Sequence, residues 1–220
     1  MSLPDPPLLV ISDRRRARQP LEDIAAAIFA AGCRWFSLRE KDLEAAERAA
    51  LLRRLVAIGA AHDATVMVHE DIAAARGSGA AGIHLPSGLS PAAFRSELPR
   101  GALIGCSTHD AAELATAAAA GADYATLSPI FATASKPGYG PALGLERLRA
   151  AASATTIPVI ALGGVGAANA AACLSTGIAG IAVMGEVMAA ADPAAAMRDL
   201  LAAIAPALAA RGSARHSGRR

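Results

Sequence analysis

Aromatic residues are scarce in this chain of 220 residues and make up only 3% of it. Hydrophobic residues nevertheless account for 54% of the sequence. The core must therefore be built mainly from Ala, Val, Ile and Leu, as in tightly packed layers of helices on strands. A chain of this length and composition can bury the core of one barrel or one open α/β domain.

Cysteine pairs and metal-binding motifs are also missing. The three cysteines, Cys33, Cys106 and Cys173, are far apart in the chain, and no CxxC or Cys/His spacing typical of a metal site occurs. We interpret them as small buried residues in a reducing compartment. The expected location is the cytoplasm.

The sequence also shows no pattern typical of a targeting segment and no strong net charge. No basic stretch followed by an apolar run begins the chain, and no run of about 20 uninterrupted apolar residues predicts a membrane span. The formal net charge is only +2, and several of the cations lie in the segments 14–18 and 211–220. A nucleic-acid surface needs charge clustered on a folded face. We therefore expect neither nucleic acid nor membrane as a partner, and the sequence leaves a homo-oligomer open.

Short continuous apolar runs alternate with helical patterns about eight times along the chain. Continuous apolar strands are typical of parallel strands buried on both faces. The predicted strands are 8–12, 35–38, 65–68, 82–85, 103–106, 123–127, 157–162 and 180–183. The pattern predicts a (β/α)₈ barrel, with a doubly wound open sheet as the alternative. We expect one domain over residues 1–208 and a disordered basic tail over 209–220, which has no apolar periodicity.

The segment 128–144 has too many Gly and Pro residues to form a helix or a strand interior. Ordered loops of this length are usually functional. Thr133, Ser135 and Lys136 supply two hydroxyl groups and one positive charge. The segment is therefore interpreted as a lid over an anionic, phosphorylated ligand, with a solvated surface loop as the alternative.

Polar residues gather where the predicted strands end, and in a barrel those ends meet at the face that carries active sites. After the second strand, Arg39 and Lys41 could grip a phosphate or pyrophosphate. After the last two strands, Gly164 and Gly185 would let the backbone approach a phosphate group. An ordinary charged helix start and a pair of tight turns are the alternatives.

Histidine and carboxylate residues occur at other strand ends. His109 follows the fifth strand beside Ser107 and could move protons. His69 and Glu70 end the third strand, where they could hold Mg²⁺ or orient a substrate, and the carboxylate is the better metal ligand. His84 lies inside a strand pattern, so a structural or supporting role is expected for it.

Eight short motifs in unbroken order resemble the thiamine-phosphate synthase and TenI family. They extend from about Leu8 to Leu201. The motifs are SLREK (37–41), VHED (68–71), GIHL (82–85), GCSTH (105–109), GADY (121–124), SPIFATASK (128–136), PALG (141–144) and IALGGV (160–165).

The resemblance implies a (β/α)₈ barrel and two sets of ligand contacts. Synthase members join an aminopyrimidine pyrophosphate to a thiazole phosphate with the help of Mg²⁺ and release pyrophosphate. The residues implied to contact pyrophosphate are Arg39, Lys41, Ser107, Thr133, Ser135 and Lys136. Those implied to hold the thiazole phosphate through backbone N–H groups are Gly164, Met184 and Gly185.

Four residues depart from the synthase pattern. Ser37 stands where synthases usually carry a Gln that contacts the pyrimidine. His69 and Glu70 stand where they read Asn-Asp, and Leu89 stands where they carry a second metal-binding Asp. Glu70 could still bind Mg²⁺, which is needed only if the chain is a synthase, and Asp71 is the other candidate carboxylate.

These departures favour the TenI side of the family. Some TenI-type members isomerise a thiazole carboxylate phosphate without a cofactor, and their catalytic histidine corresponds to His109. A thiamine-phosphate synthase is the close alternative. A non-catalytic binder or regulator of thiazole phosphate stays open, as does a phosphosugar barrel such as an epimerase, which the lid motif disfavours.

Overall fold

The computed structural model describes residues 2–133 and 141–217, with side chains described as far as Arg211. Eight parallel strands close into one barrel in chain order, and the last strand pairs with the first. The strands are β1 Leu8–Ile11, β2 Trp35–Leu38, β3 Thr65–His69, β4 Gly82–Leu85, β5 Leu103–Thr108, β6 Tyr124–Leu127, β7 Val159–Ala161 and β8 Gly180–Val183. The predicted (β/α)₈ barrel is confirmed.

Helices follow the strands and form the outer layer. They are α1 Leu21–Ala30, α2 Ala45–Ala60, α3 Ile72–Ser78, α4 Ala92–Arg95, α5 Ala111–Ala119, α6 Gly144–Ala154, α7 Ala167–Leu174, α8 Gly185–Met188 and α9 Pro193–Ser217. The short helix α8 has no counterpart in the sequence-based prediction, because four residues are too few to show helical periodicity.

Two apolar clusters fill the structure. The larger cluster lies between strands and helices and contains the buried side chains Ile24, Phe36 and Leu148. The smaller cluster fills the barrel with side chains from alternate strand positions, among them Trp35 and Tyr124. All three cysteines are buried and free of disulfides, as expected.

The last helix is longer than predicted. α9 continues to Ser217, past the predicted boundary at residue 208, and the Arg211 guanidinium donates hydrogen bonds to the carbonyl oxygens of Leu174 and Ala179. Residues 209–217 of the predicted disordered tail are therefore helical, and the Arg211 side chain holds this part of α9 to the barrel. Residues 218–220 lie outside the described residues.

The same helix has a composition that a membrane span could share. Its part Pro193–Arg211 has a mean hydropathy of 1.3, and 22% of that stretch is buried. Met197, Leu200 and Ile204 are buried against the rest of the domain. The apolar residues of α9 therefore pack against the barrel domain.

Candidate active site

A cavity of about 630 Å³ opens at the carboxyl ends of the barrel strands. Side chains or backbone from the segments after β2 to β8 line it. Of the predicted site residues, it brings together Arg39, Lys41, His69, Glu70, Ser107, His109, Thr133, Gly164, Met184 and Gly185. The other two, Ser135 and Lys136, lie outside the described residues. The binding roles of all these residues stay predictions.

Arg39 and Lys41 line this cavity, but Glu40 between them does not. Its side chain is 2% exposed, and it accepts hydrogen bonds from Ser12 Oγ at 2.6 Å and from the Arg14 backbone N–H at 3.1 Å. Ser12 Oγ in turn accepts a hydrogen bond from the Arg39 backbone N–H at 2.8 Å. Burial raises the pKa of the Glu40 carboxyl, against the lowering effect of its hydrogen bond from Ser12. Glu40 thus anchors the segment that carries Arg39 and Lys41.

The two carboxylates after β3 are engaged by cations. Lys41 Nζ lies 2.5 Å from Glu70 Oε1, and Arg48 lies 2.6 Å from Asp71 Oδ2. Asp71 also caps α3 with its other oxygen. Leu89, at the position of the expected second ligand, is 46% exposed.

These contacts decide how well a divalent cation fits. Within residues 2–133 and 141–217, no three His, Cys, Asp or Glu side chains come together as a metal site. Mg²⁺ is normally held by carboxylates together with substrate phosphates. Since Glu70 and Asp71 pair with cations, neither carboxylate is open to Mg²⁺ in the arrangement described. The assignment of Glu70 as a metal ligand stays a prediction that requires its pair with Lys41 to separate.

His109 is held by a carboxylate that the sequence interpretation missed. Glu113 Oε2 accepts hydrogen bonds from His109 Nδ1 at 2.9 Å and from the His109 backbone N–H at 2.8 Å. A carboxylate only accepts hydrogen bonds, so Nδ1 carries the proton and Nε2 is the basic nitrogen. Helical spacing gave no signal for this pair, because His109 precedes the N-cap residue Asp110 and only Glu113 lies within α5.

Hydrogen bonds to Glu113 favour its ionised form. Desolvation acts to raise its pKa, but hydrogen bonds from Ser87 and His109 outweigh this effect and leave the pKa below its usual value. Both Ser87 and His109 line the cavity. The pair therefore presents an oriented imidazole, backed by a negative charge, to whatever the cavity binds.

The glycine pair after β7 is required by the chain beside it. Both residues have positive φ, +90° at Gly163 and +65° at Gly164. A Cβ at Gly163 would lie 2.8 Å from Pro129 Cα, and one at Gly164 would lie 2.6 Å from the Ala132 carbonyl oxygen. The glycines thus let the segment after β6 cross the end of β7. Their backbone also lines the cavity, as the phosphate prediction requires.

The predicted lid is anchored at its described ends. The Ile130 and Phe131 backbone N–H groups donate to the carbonyl oxygens of Leu162 and Gly163. At the far end, the Leu143 N–H donates to the Pro129 carbonyl oxygen at 2.9 Å. Residues 134–140, which contain most of the predicted lid donors, lie outside the described residues.

A carboxylate stands near the expected phosphate position. Glu186 is exposed, lines the cavity beside Gly185, and lies about 3.0 Å from where a Cβ of Gly166 would be. Its negative charge opposes an anion at this end of the cavity. Sequence reasoning did not single it out, because only the fold turns α8 towards Gly166.

Ser37 is fully buried in β2. Within the described part of the chain, its hydroxyl group has no hydrogen-bond partner. A side chain this short and enclosed cannot reach a ligand as a Gln at the same position could. The replacement of the usual Gln by Ser37 therefore removes a side chain that could contact a ligand from β2.

Fold and cavity together define a (β/α)₈ barrel with its site at the carboxyl ends of the strands. Residues 8–187 match the family model described as thiamine monophosphate synthase. The thiamine-phosphate synthase of Salinispora tropica is 38% identical over 201 residues, which are 90% of this chain and 96% of that protein. That of Methanoculleus marisnigri is 36% identical over 202 residues, 91% of this chain and 96% of that protein.

A solved structure agrees with the sequence relatives. Thiamine phosphate pyrophosphorylase from Pyrococcus furiosus superposes with a TM-score of 0.81 at 30% identity, covering 91% of this chain and 96% of that one. The chain belongs to the thiamine-phosphate synthase family of thiamine biosynthesis, and it is an enzyme. The resemblance found in the sequence is confirmed at the level of the family.

Proposed function

We propose that this enzyme isomerises a thiazole carboxylate phosphate to its aromatic form, with His109 moving the ring proton. The observation that carries the proposal is the His109–Glu113 pair on the cavity wall. A histidine whose tautomer is fixed by a carboxylate is suited to take up and return a proton near neutral pH.

The proposed proton transfer uses only groups of this chain. His109 Nε2 accepts a proton from the thiazole ring, and the imidazolium that forms is stabilised by the Glu113 carboxylate at 2.9 Å. The same nitrogen then returns the proton at another position of the ring system. No bond to phosphate is broken, so no metal is required to stabilise a leaving group.

The cations and the backbone of the cavity would hold the substrate. Arg39 and the backbone of Gly164 and Gly185 all line the cavity. We infer that the phosphate binds to this backbone. Thr133 would add a hydroxyl group at the rim, and the predicted contacts of Ser135 and Lys136 would close the site.

The synthase reaction is the second candidate, and the names of the relatives favour it. Several curated relatives are thiamine-phosphate synthases, and Arg39 and Lys41 are suited to a pyrophosphate group. Against it stand the cation-paired carboxylates Glu70 and Asp71 and the buried Ser37. A synthase would need the Lys41–Glu70 pair to separate before Mg²⁺ could bind.

A coupled assay separates the two reactions. The protein is given the thiazole carboxylate phosphate and the aminopyrimidine pyrophosphate, with Mg²⁺ or with a chelator, and the aromatic thiazole isomer, thiamine phosphate and pyrophosphate are followed. Isomerisation that proceeds in chelator, with no pyrophosphate release, supports the tautomerase. Pyrophosphate release that depends on Mg²⁺ contradicts it and establishes the synthase.

Substitution of His109 tests the assigned residue. His109→Ala should abolish isomerisation and leave binding of the thiazole phosphate within about twofold, because the imidazole is not part of the phosphate contacts. His62→Ala is the matched control, since His62 lies at the end of α2 and packs against Phe29. If His109→Ala retains turnover, the proposal is wrong. If the wild type binds the thiazole phosphate but does not turn it over, the protein is a non-catalytic binder.

A further inference from the structure

A chain of polar contacts runs through the interior of the barrel and ends at the cavity. Trp35 Nε1 donates to Met67 Sδ at 3.1 Å, and Tyr124 Oη lies 3.7 Å from the same sulfur. Tyr124 Oη also lies 2.9 Å from His84 Nδ1, and His84 Nε2 lies 3.0 Å from Ser107 Oγ. The first four residues are at most 1% exposed, and Ser107 lines the cavity.

Two directions of hydrogen bonding are compatible with these distances. In the first, Tyr124 O–H donates to His84 Nδ1, and His84 Nε2–H donates to Ser107 Oγ. In the second, Ser107 O–H donates to His84 Nε2, His84 Nδ1–H donates to Tyr124 Oη, and the phenol hydrogen is left to Met67 Sδ. Both require a neutral imidazole, and burial, aided by the Arg39 charge, lowers the pKa of His84 to about 3.

The sulfur atom decides between the two directions. A thioether is a weak acceptor, and Met67 Sδ already accepts the shorter bond from the Trp35 indole. At 3.7 Å it is a poor partner for the phenol hydrogen, whereas the imidazole nitrogen at 2.9 Å is a good one. A buried phenol hydrogen without a good acceptor is costly, and Tyr124 has no exposed surface. The first direction is therefore favoured.

We propose that Tyr124 and His84 are positioning residues that fix Ser107 as a hydrogen-bond donor towards the cavity. With His84 Nε2–H bonded to one lone pair of its oxygen, Ser107 keeps its own hydrogen for another partner, and Ser107 lines the cavity. A phosphate or pyrophosphate oxygen of a ligand beside Ser107 can accept this hydrogen.

The glycine at position 105 makes this arrangement sterically possible. A Cβ there would lie 2.1 Å from Tyr124 Cζ and 2.4 Å from Tyr124 Oη. The tyrosine ring therefore lies directly over the backbone of β5, two residues before Ser107. The packing of Trp35 against the ring, with centroids 4.8 Å apart and planes at 72°, fixes its other side.

The direct test is the tautomer of His84 in the intact protein. In ¹⁵N-histidine NMR spectra, we expect His84 to carry its proton on Nε2 and to keep it there between pH 6 and 8. A proton on Nδ1 overturns the proposal. This measurement needs no substrate, so its result does not depend on the proposed isomerisation. Only the identity of the anion that Ser107 contacts rests on the proposed function.

Substitutions test the consequence for binding, with inorganic pyrophosphate as the probe. Tyr124→Phe keeps the ring and removes the hydroxyl group, so His84 should no longer favour Nε2–H and pyrophosphate should bind roughly threefold to tenfold more weakly. Ser107→Ala should weaken pyrophosphate binding by a similar factor. The double variant should bind only a little more weakly than either single variant, because Tyr124 and Ser107 act through one hydrogen bond to the ligand. Equal affinity of Tyr124→Phe and the wild type, or full additivity in the double variant, contradicts the proposal.

Met67→Leu is the control for the sulfur. It removes the competing acceptor and leaves His84 as the acceptor of the phenol hydrogen, so the Nε2–H tautomer should be unchanged. A switch of the His84 proton to Nδ1 in this variant would refute the argument. Thermal unfolding of each variant shows whether it is folded, and if Tyr124→Phe does not fold, the wild-type tautomer decides.

Discussion

Removing the charge of Glu113 while keeping its shape is the sharpest test of the His109 pair. In Glu113→Gln, the amide oxygen can still accept from His109 Nδ1, but the imidazolium that forms during proton transfer loses its negative neighbour. We therefore expect kcat to fall and KM for the thiazole carboxylate phosphate to change little, because the charge acts on the reacting state and not on the bound phosphate.

The magnitude follows from the distance and the exposure of the pair. Nδ1 and Oε2 are 2.9 Å apart, and the two side chains are 28% and 36% exposed. Solvent screening at that exposure limits the interaction to about 1–2 kcal/mol. Because about 1.4 kcal/mol corresponds to a factor of 10 in rate, kcat should fall roughly 5-fold to 30-fold.

The assay is steady-state isomerisation measured with a matched control. Glu22→Gln removes a carboxylate of α1 that pairs with Arg54 away from the cavity, and its kcat should equal that of the wild type. An unchanged kcat in Glu113→Gln would refute the reasoning.

Three further substitutions probe the structure around the site. Glu40→Ala leaves the buried Ser12 hydroxyl group without its acceptor, so urea denaturation should show a loss of about 2 kcal/mol in unfolding free energy; an unchanged midpoint speaks against the anchor. Gly105→Ala drives a methyl group into the Tyr124 ring and should cost about 3 kcal/mol or more in the same measurement, whereas Gly77→Ala, with nothing within 4 Å, should be neutral or stabilising. Glu186→Gln removes an anion near the phosphate position, so the thiazole phosphate should bind about twofold to fivefold more tightly at low salt, and weaker binding would contradict the placement.

The order of elements could be read from the sequence because each one has a local cause. Continuous apolar runs such as 180–183 are typical of strands covered on both sides, and their number and alternation with helices favour a closed barrel. Strand ends were less certain. β7 is shorter than predicted and β5 longer, because pairing with neighbouring strands sets those ends.

The location of the candidate site could be predicted from the sequence, but most of the hydrogen bonds and ion pairs within it could not. Arg39, His109 and Gly164 meet in one cavity because all strand ends of a parallel barrel meet at one face. The sequence did not show that Glu113 holds His109, because a charged residue on a helix is most often a solvated one.

The sequence by itself determined the barrel, the face that carries the site, and the family, since all of these follow from periodicity and short motifs along the chain. Only the tertiary structure decided which charges are free for a ligand. Glu40 accepts a hydrogen bond from Ser12, which follows β1. Glu70, which follows β3, pairs with Lys41 from the segment after β2, and His84 contacts Tyr124 and Ser107 inside the barrel. Such contacts join residues 20 to 40 positions apart, and their geometry exists only once the barrel has closed.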